Sequence, residues 1–237
     1  MNSSTYTTRR GEIEHYFDRT AVAAWEKLTS DAPVGRIRAS VRAGRDQMRA
    51  TLLAWLPQDL RGQRLLDAGC GTGALAIEAA RRGAEVLAID LSPTLVNLAR
   101  ERAPTDLGHG RIDFRSGDML DPALGHFDHV VAMDSIIHYG TDDAVAALSK
   151  LAERTTQSIN FTFAPGTPLL SAMIRIGRLF PRGDRAPWLN PMAADRLAAM
   201  RAQDAVLQHW CAGQTQRISS GFYKSQALQW LAPEQRA

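Results

Sequence analysis

Residues 63–92 read QRLLDAGCGTGALAIEAARRGAEVLAIDLS. A short apolar run, Leu65-Leu66, ends in Asp67, and a second, Val86 to Ile89, ends in Asp90. Between them Gly69, Gly71 and Gly73 stand at alternate positions, ahead of a helical stretch from Ala74 to Arg82. The pattern predicts strand, glycine turn, helix and strand, with one carboxylate closing each strand. That is the opening of an open parallel sheet, where ligands bind outside the carboxyl ends of the strands.

The residue types narrow the ligand. Alternate glycines let the backbone turn sharply and let a ligand approach it closely. Asp90 is placed to accept hydrogen bonds from a ribose diol. The spacing Gly69-x-Gly71-x-x-Ala74 also matches the dinucleotide fingerprint, so the glycines alone do not discriminate. Asp67 does. A carboxylate two residues before the first glycine repels a pyrophosphate and suits an ammonium or a sulfonium. S-adenosyl-L-methionine carries both of these, and a ribose diol. The run Asp67-Ala68-Gly69-Cys70-Gly71-Thr72-Gly73 resembles the first motif of class I methyltransferases that use this cofactor.

The chain has 237 residues, 45% hydrophobic and 22% charged, which is ordinary for a globular protein with a full core. A net charge of +3 does not by itself call for nucleic acid. Arginines crowd two places: Arg36, Arg38, Arg42, Arg45 and Arg49 early, and Arg175, Arg178, Arg182 and Arg185 late. These are either solvated helix faces or an attraction for an anionic substrate. The two cysteines, Cys70 and Cys211, fit free thiols in a reducing cytoplasm. No run approaches the roughly 18 apolar residues of a membrane span. No protein-held metal site is read.

In chain order, residues 1–10 are polar and expected to be disordered. A helix is expected from Glu12 to Leu28, broken at Asp31-Ala32-Pro33, and a second from Pro33 to Leu56. The pair either forms a lid on the carboxyl edge of the sheet or packs on its face. Strands follow at 63–67, 85–90, Arg111–Arg115, Phe127–Met133 and Ser158–Phe163. Helices are expected at Pro93–Arg102, with Ser92 as cap, and at Asp142–Ala152. Asp118, after the third strand, either faces an adenine amino group or caps the next turn. Pro168 to Phe180 reads as an apolar helix with arginines, in an insertion that also carries Trp188. A helix at Ala193–Arg201 and two closing strands, near Val206–Cys211 and Arg217–Tyr223, complete the chain. The expected organisation is a helical lid (1–57), an α/β core (58–166), a helical acceptor-pocket insertion (167–203) and closing strands (204–237).

One family resemblance is wider than the glycine motif. His15-Tyr16-Phe17-Asp18, Trp25, Arg36, Arg42, Gly44 and Arg45, the loop Ile136-Ile137-His138-Tyr139 and the late Gln216-Arg217-Ile218-Ser219-Ser220-Gly221-Phe222-Tyr223 are similar to the magnesium-protoporphyrin IX O-methyltransferases of bacteriochlorophyll biosynthesis. Chlorophyll-forming relatives place a tyrosine shortly after the first-helix tryptophan. Leu28-Thr29 stands there in this chain, so no role is transferred to it.

The resemblance implies a class I Rossmann-like α/β fold, mostly parallel with a closing antiparallel hairpin. It carries an N-terminal helical lid and a helical insertion after the fifth strand. It implies methyl transfer from S-adenosyl-L-methionine to a propionate of magnesium protoporphyrin IX, with S-adenosyl-L-homocysteine as by-product. By position, Asp67, Gly69, Cys70, Gly71, Gly73, Asp90, Leu91, Ser92, Asp118, Met119 and Met133 are expected around the cofactor. His138, Tyr16 and Tyr139 are expected at the chemistry, and Arg36, Arg42, Arg175 and Trp188 at the acceptor. Handover from the large subunit of magnesium chelatase is implied. From the residues themselves, free thiols fit a cytoplasmic location, the lack of an apolar span leaves at most peripheral membrane contact, and the lack of a dense basic run with interleaved aromatics gives no nucleic-acid partner. A propionate is ionised at neutral pH, so His138 orients it or touches its magnesium rather than removing a proton. The alternatives are a methyltransferase for a quinone or other small metabolite, and a non-catalytic module that keeps a cofactor pocket.

Overall fold

The computed structural model describes residues 3–16, 35–166 and 190–233. Their order is α1 (Ser3–His15), α2 (Arg36–Ala54), β1 (Arg64–Ala68), α3 (Ala74–Arg81), β2 (Glu85–Asp90), α4 (Pro93–Arg102), β3 (Arg111–Ser116), β4 (Phe127–Ala132), α5 (Thr141–Ala152), β5 (Thr155–Phe163), α6 (Ala194–Gln203), β6 (Cys211–Ser220) and β7 (Tyr223–Leu231).

The strands form one sheet in the order β3-β2-β1-β4-β5-β7-β6. β1 to β5 pair in parallel, whereas β7 runs antiparallel to both β5 and β6. Strand order reverses between β1 and β4, which opens a crevice at their carboxyl ends. The inner strands are apolar along most of their length because helices cover both faces. Met48, Leu52, Leu65, Ala79 and Val131 fill the layer under α2, α3 and α4. Leu148, Phe161, Phe163, Leu197 and Trp230 fill the opposite layer, under α5 and α6. Phe161 and Trp230 meet edge to face, centroids 4.8 Å apart.

Local chemistry sets the helix starts around the crevice. Ser92 accepts a hydrogen bond from the Leu95 N–H at 3.2 Å, and Pro93 opens α4 with its fixed φ. Gly73 precedes α3 at φ +79°, where a Cβ would come within 2.9 Å of the Phe114 ring. Glycine there brings α3 close against β3 and aims its N-terminus at the crevice.

Two expectations are corrected. Residues 3–10 are helical, not disordered. Helix α1 of Thr- and Arg-rich sequence is fixed by tertiary contacts: Tyr6 and Ile13 are buried, and Arg10 pairs with Asp118 at 2.8 Å. The closing hairpin lies later than expected. Residues 207–209 form a 3-10 turn, β6 covers 211–220, and β7 continues to Leu231. β6 is an edge strand with Ile218 as its buried residue, so its polar sequence carries no alternation to read. The expected helix beyond residue 16, up to Leu28, and the insertion segment 167–189 with Arg175, Arg178 and Trp188 lie outside the described residues. Among the described residues no helix is long and apolar enough to cross a membrane.

Helix α2 presses on β7 at Gly44, where an added Cβ would lie 2.6 Å from Cδ1 and 2.9 Å from Cβ of Tyr223. That tyrosine is buried and cannot swing clear. Gly44→Ala is expected to cost about 1–3 kcal/mol of stability through overpacking. Urea unfolding of the variant beside the wild type measures it.

Candidate active site

The carboxyl ends of β1, β2 and β4 surround a cavity of about 700 Å³, counting its open mouth. A cavity of that size holds a nucleoside-sized ligand. Of the residues singled out in the sequence, Gly69, Gly71, Asp90, Leu91, Asp118, Met119, Met133, His138 and Tyr139 line it.

Asp67 sits just behind this lining, buried in β1. It faces the Ala76 N–H, and among the described residues its Oδ2 has no hydrogen-bond partner. Burial and the neighbouring Asp90 charge push its pKa up to about 7. A buried carboxylate oxygen left without a donor is costly, and it marks a position that a cationic ligand group would complete. Asp90 is held firmly instead: its Oδ2 accepts the Gly71 N–H at 2.9 Å and its Oδ1 the Ser92 N–H at 3.0 Å. With the Leu91 N–H as a third backbone donor, the carboxylate still keeps acceptor capacity for a hydroxyl. The two carboxylates and the glycine turn therefore fit an aminoacyl-nucleoside cation.

The other predicted residues divide by position. Cys70 is buried, and burial raises its thiol pKa well above the ordinary value. Gly73 and Ser92 act on the starts of α3 and α4 rather than on the cavity wall. Tyr16 lies past the end of α1, half-buried and not among the lining residues. Arg36 is exposed and Arg42 half-buried on α2, and neither lines the cavity.

His138 is buried in a 3-10 turn, Ile136–His138, that leaves β4. The backbone of that turn is clamped: the His138 carbonyl accepts from Arg9 Nε at 2.8 Å and from Asn190 Nδ2 at 2.7 Å. Tyr139 is stacked on Tyr6, centroids 5.1 Å apart and 15° from coplanar. Burial pushes the Tyr139 hydroxyl up to about 12, so it stays protonated.

Several wall residues were not among the expected site residues. Tyr6, from the stretch expected to be disordered, donates to Asp118 Oδ1 at 2.8 Å, while Arg10 takes Asp118 Oδ2. The 118–121 loop is held from below by Arg154, whose guanidinium donates to the Met119 and Asp121 carbonyls. Arg45 and Asp134 also line the cavity, joined at 2.6 Å. Asp134 further accepts from Tyr223 at 3.0 Å and from the Thr162 hydroxyl at 3.2 Å, and its own N–H donates to Thr162 Oγ1 at 2.7 Å. Residues 89 positions apart in sequence give no local signal of such a pair. The one hint was the arginine crowding on α2.

Known proteins agree with this architecture. The family profile described as "Magnesium-protoporphyrin IX methyltransferase C-terminus" matches residues 132–232, and one described as "Methyltransferase domain" matches residues 65–157. The magnesium-protoporphyrin O-methyltransferase of Rhodobacter capsulatus is 47% identical over 96% of this chain and 98% of its own length. Two crystal structures of magnesium protoporphyrin IX methyltransferase from Synechocystis superpose well. The one with bound SAH has a TM-score of 0.81 at 28% identity, covering 94% of this chain and 99% of that one. The one with bound SAM has a TM-score of 0.75 at 25% identity, covering 94% and 97%.

Asp67 generates a test on the ligand-free protein. Its folded pKa lies near 7, against an ordinary 3.8. Between those values the native state keeps a proton that the unfolded chain has lost, so stability falls as pH rises and levels off above about pH 7. Asp67→Asn removes this pH dependence. The variant is expected to gain in melting temperature over the wild type as pH goes from about 5 to about 8. A pH-independent difference between the two melting curves would contradict the assignment.

Proposed function

The chain belongs to the magnesium-protoporphyrin IX methyltransferase family, and from that premise we propose that it transfers a methyl group from S-adenosyl-L-methionine to one propionate carboxylate of magnesium protoporphyrin IX in bacteriochlorophyll biosynthesis. The observation that carries the reading is the extent of the likeness. It covers 96% of this chain, including the C-terminal region as well as the widely shared glycine motif.

The cofactor supplies an electrophilic methyl group on a sulfonium. The chain's residues do the rest. Asp67, with its partnerless buried oxygen, takes the ammonium, and Asp90 takes the ribose diol. Arg45 meets the cofactor's carboxylate, because an amino-acid zwitterion needs one acid and one base at the same end. Asp118 and Met119 flank the base, and the Gly69–Gly71 backbone passes close beneath. Tyr6 and Ile13 of α1 cover this end of the cavity, so cofactor entry involves the Tyr6–Asp118 and Arg10–Asp118 contacts.

The acceptor needs no base. A propionic acid has a pKa of about 4–5, so the nucleophile is present as its anion at neutral pH. The work left to the protein is alignment and exclusion of water. His138, on its clamped turn beside Ser135 and Tyr139, orients the carboxylate or contacts the central magnesium. Tyr139 and Ile136 close the site behind it with apolar bulk. Charge on opposite partners is lost together as the methyl moves, and a dry cavity favours that loss.

The same reading takes in delivery from the large subunit of magnesium chelatase, since an apolar macrocycle is poorly held by water and gains from direct handover. The free thiols at Cys70 and Cys211 support a cytoplasmic location. Membrane contact, on this reading, is peripheral at most.

The test uses purified protein, methyl-labelled cofactor and magnesium protoporphyrin IX. Label is expected in the porphyrin monomethyl ester. Bound cofactor without transfer would retire the porphyrin assignment in favour of another acceptor, such as a quinone. His138→Ala is expected to lower kcat by about 100-fold or more through lost alignment, with cofactor affinity by calorimetry retained. A variant with wild-type turnover removes His138 from the chemistry.

A further inference from the structure

The proposed acceptor is a wide, flat, apolar ring with two propionates on one edge. A propionate arm is short, so a carboxylate at the bottom of the cavity leaves the ring at the cavity mouth. What the protein offers there is set by α2 and by the turn between β6 and β7.

Both elements reach the same rim. Gln226 of β7 lies opposite Phe163, the last residue of β5. Because β7 is antiparallel, its first residues and the turn before them extend about 10 Å past the carboxyl end of β5. The start of α2 meets them there: Ser220 Oγ donates to the Ser40 carbonyl at 2.9 Å, and Ser40 Oγ donates to the Ile37 carbonyl at 2.8 Å. Arg45 of α2 enters the cavity. Arg42 and Arg38 lie three and seven residues before it, on the same helix face, so this face looks from the cavity out over the mouth. Arg38 stands about 10 Å up the helix from Arg45.

The rim is apolar as well as basic. Phe222 in the turn is 68% exposed, and Ile37 on the first turn of α2 is 59% exposed. Among the described residues these are the two most exposed large apolar side chains. The third, Leu231, is at the far end of β7. Two water-facing apolar side chains beside a row of arginines, at the N-terminal and positive end of a 19-residue helix, are complementary to an apolar dianion. The arginine row runs back along α2 to Arg45 in the cavity wall, and the hairpin falls inside the region matched by the porphyrin-specific profile, residues 132–232.

We propose that this rim is the outer half of the acceptor site, with Phe222 and Ile37 against the macrocycle and Arg38 and Arg42 at the propionate that is not methylated. The proposal rests on the methyl-transfer reading and adds the place and the contacts of the ring.

The experiment compares the wild type, the double variant Phe222→Ala/Ile37→Ala, and Arg38→Glu. Quenching of tryptophan fluorescence gives magnesium-protoporphyrin affinity, steady-state assays give KM and kcat, and calorimetry gives cofactor affinity. The truncated side chains are exposed, so both variants should melt like the wild type. The double variant is expected to bind the porphyrin about tenfold more weakly, with a matching rise in KM and little change in kcat or cofactor affinity. Arg38→Glu should weaken porphyrin binding more at low salt than at high salt. Unchanged porphyrin affinity in both variants overturns the proposal. So does unchanged porphyrin affinity together with lost sedimentation on phosphatidylglycerol vesicles, which would assign the rim to a lipid surface. A wild type that binds cofactor yet transfers no methyl group to the porphyrin brings down the underlying reading too. An active wild type with unimpaired variants brings down the rim alone.

Discussion

Arg45 and Asp134 meet at 2.6 Å, with side chains 19% and 7% exposed. Around that contact four pieces of chain are held in register. Arg45 comes from α2, Asp134 from the exit of β4, Thr162 from β5 and Tyr223 from β7. Asp134 adopts φ +55°, a region that non-glycine residues enter at a cost. Its backbone N–H and carboxylate are both tied down, which is how the cost is met. Burial and the Asp134 charge push the Tyr223 hydroxyl up, so it remains a donor. Removing one member of such a buried pair leaves the other charged and stranded, at about 3–5 kcal/mol. The pair therefore holds α2 against the sheet and fixes where β4 turns into the His138 segment.

The chemistry of the site follows from charge placed where water is scarce. Burial, and then the nearby Asp90 charge, raise the cost of ionising Asp67. Burial disfavours the ionised form of both carboxylates, so a cationic group brought near them would be favourable. In the proposed reaction the acceptor side needs no proton transfer, because a propionate is already ionised at neutral pH. Arg38, Arg42 and Arg45 follow one another along one face of α2, with Arg45 reaching the cavity.

Helix α1 shows how a weakly coded segment becomes part of the site. Its sequence has no apolar face of any width, and its two buried side chains, Tyr6 and Ile13, both point into the cavity wall. Tyr6 stacks on Tyr139 and bonds to Asp118, and Arg9 clamps the His138 carbonyl. One short helix thus touches both the Asp118 side and the His138 side of the cavity.

Much of the architecture was legible in the sequence because it depends on local rules. Asp67, the glycine turn and Asp90 defined the first parallel unit, and Ser92-Pro93 announced α4. Apolar runs of strand length marked β2, β4 and β5. The positions of His138 and Met119 followed from being next to strand ends. What failed had no local code. Residues 3–10 are polar and take their helix from distant partners, and β6 is an exposed edge whose pattern carries no alternation. Arg45, Asp134 and Tyr223 come together across a span of 178 positions, from Arg45 to Tyr223, and Tyr6 reaches Asp118 across 112. The sequence by itself determined the strand-turn-helix unit and its carboxylates, since backbone sterics and periodic burial act over neighbouring residues. Only the tertiary structure decided which side chains from separate elements line the cavity or brace its wall, since contacts between distant residues arise from packing alone.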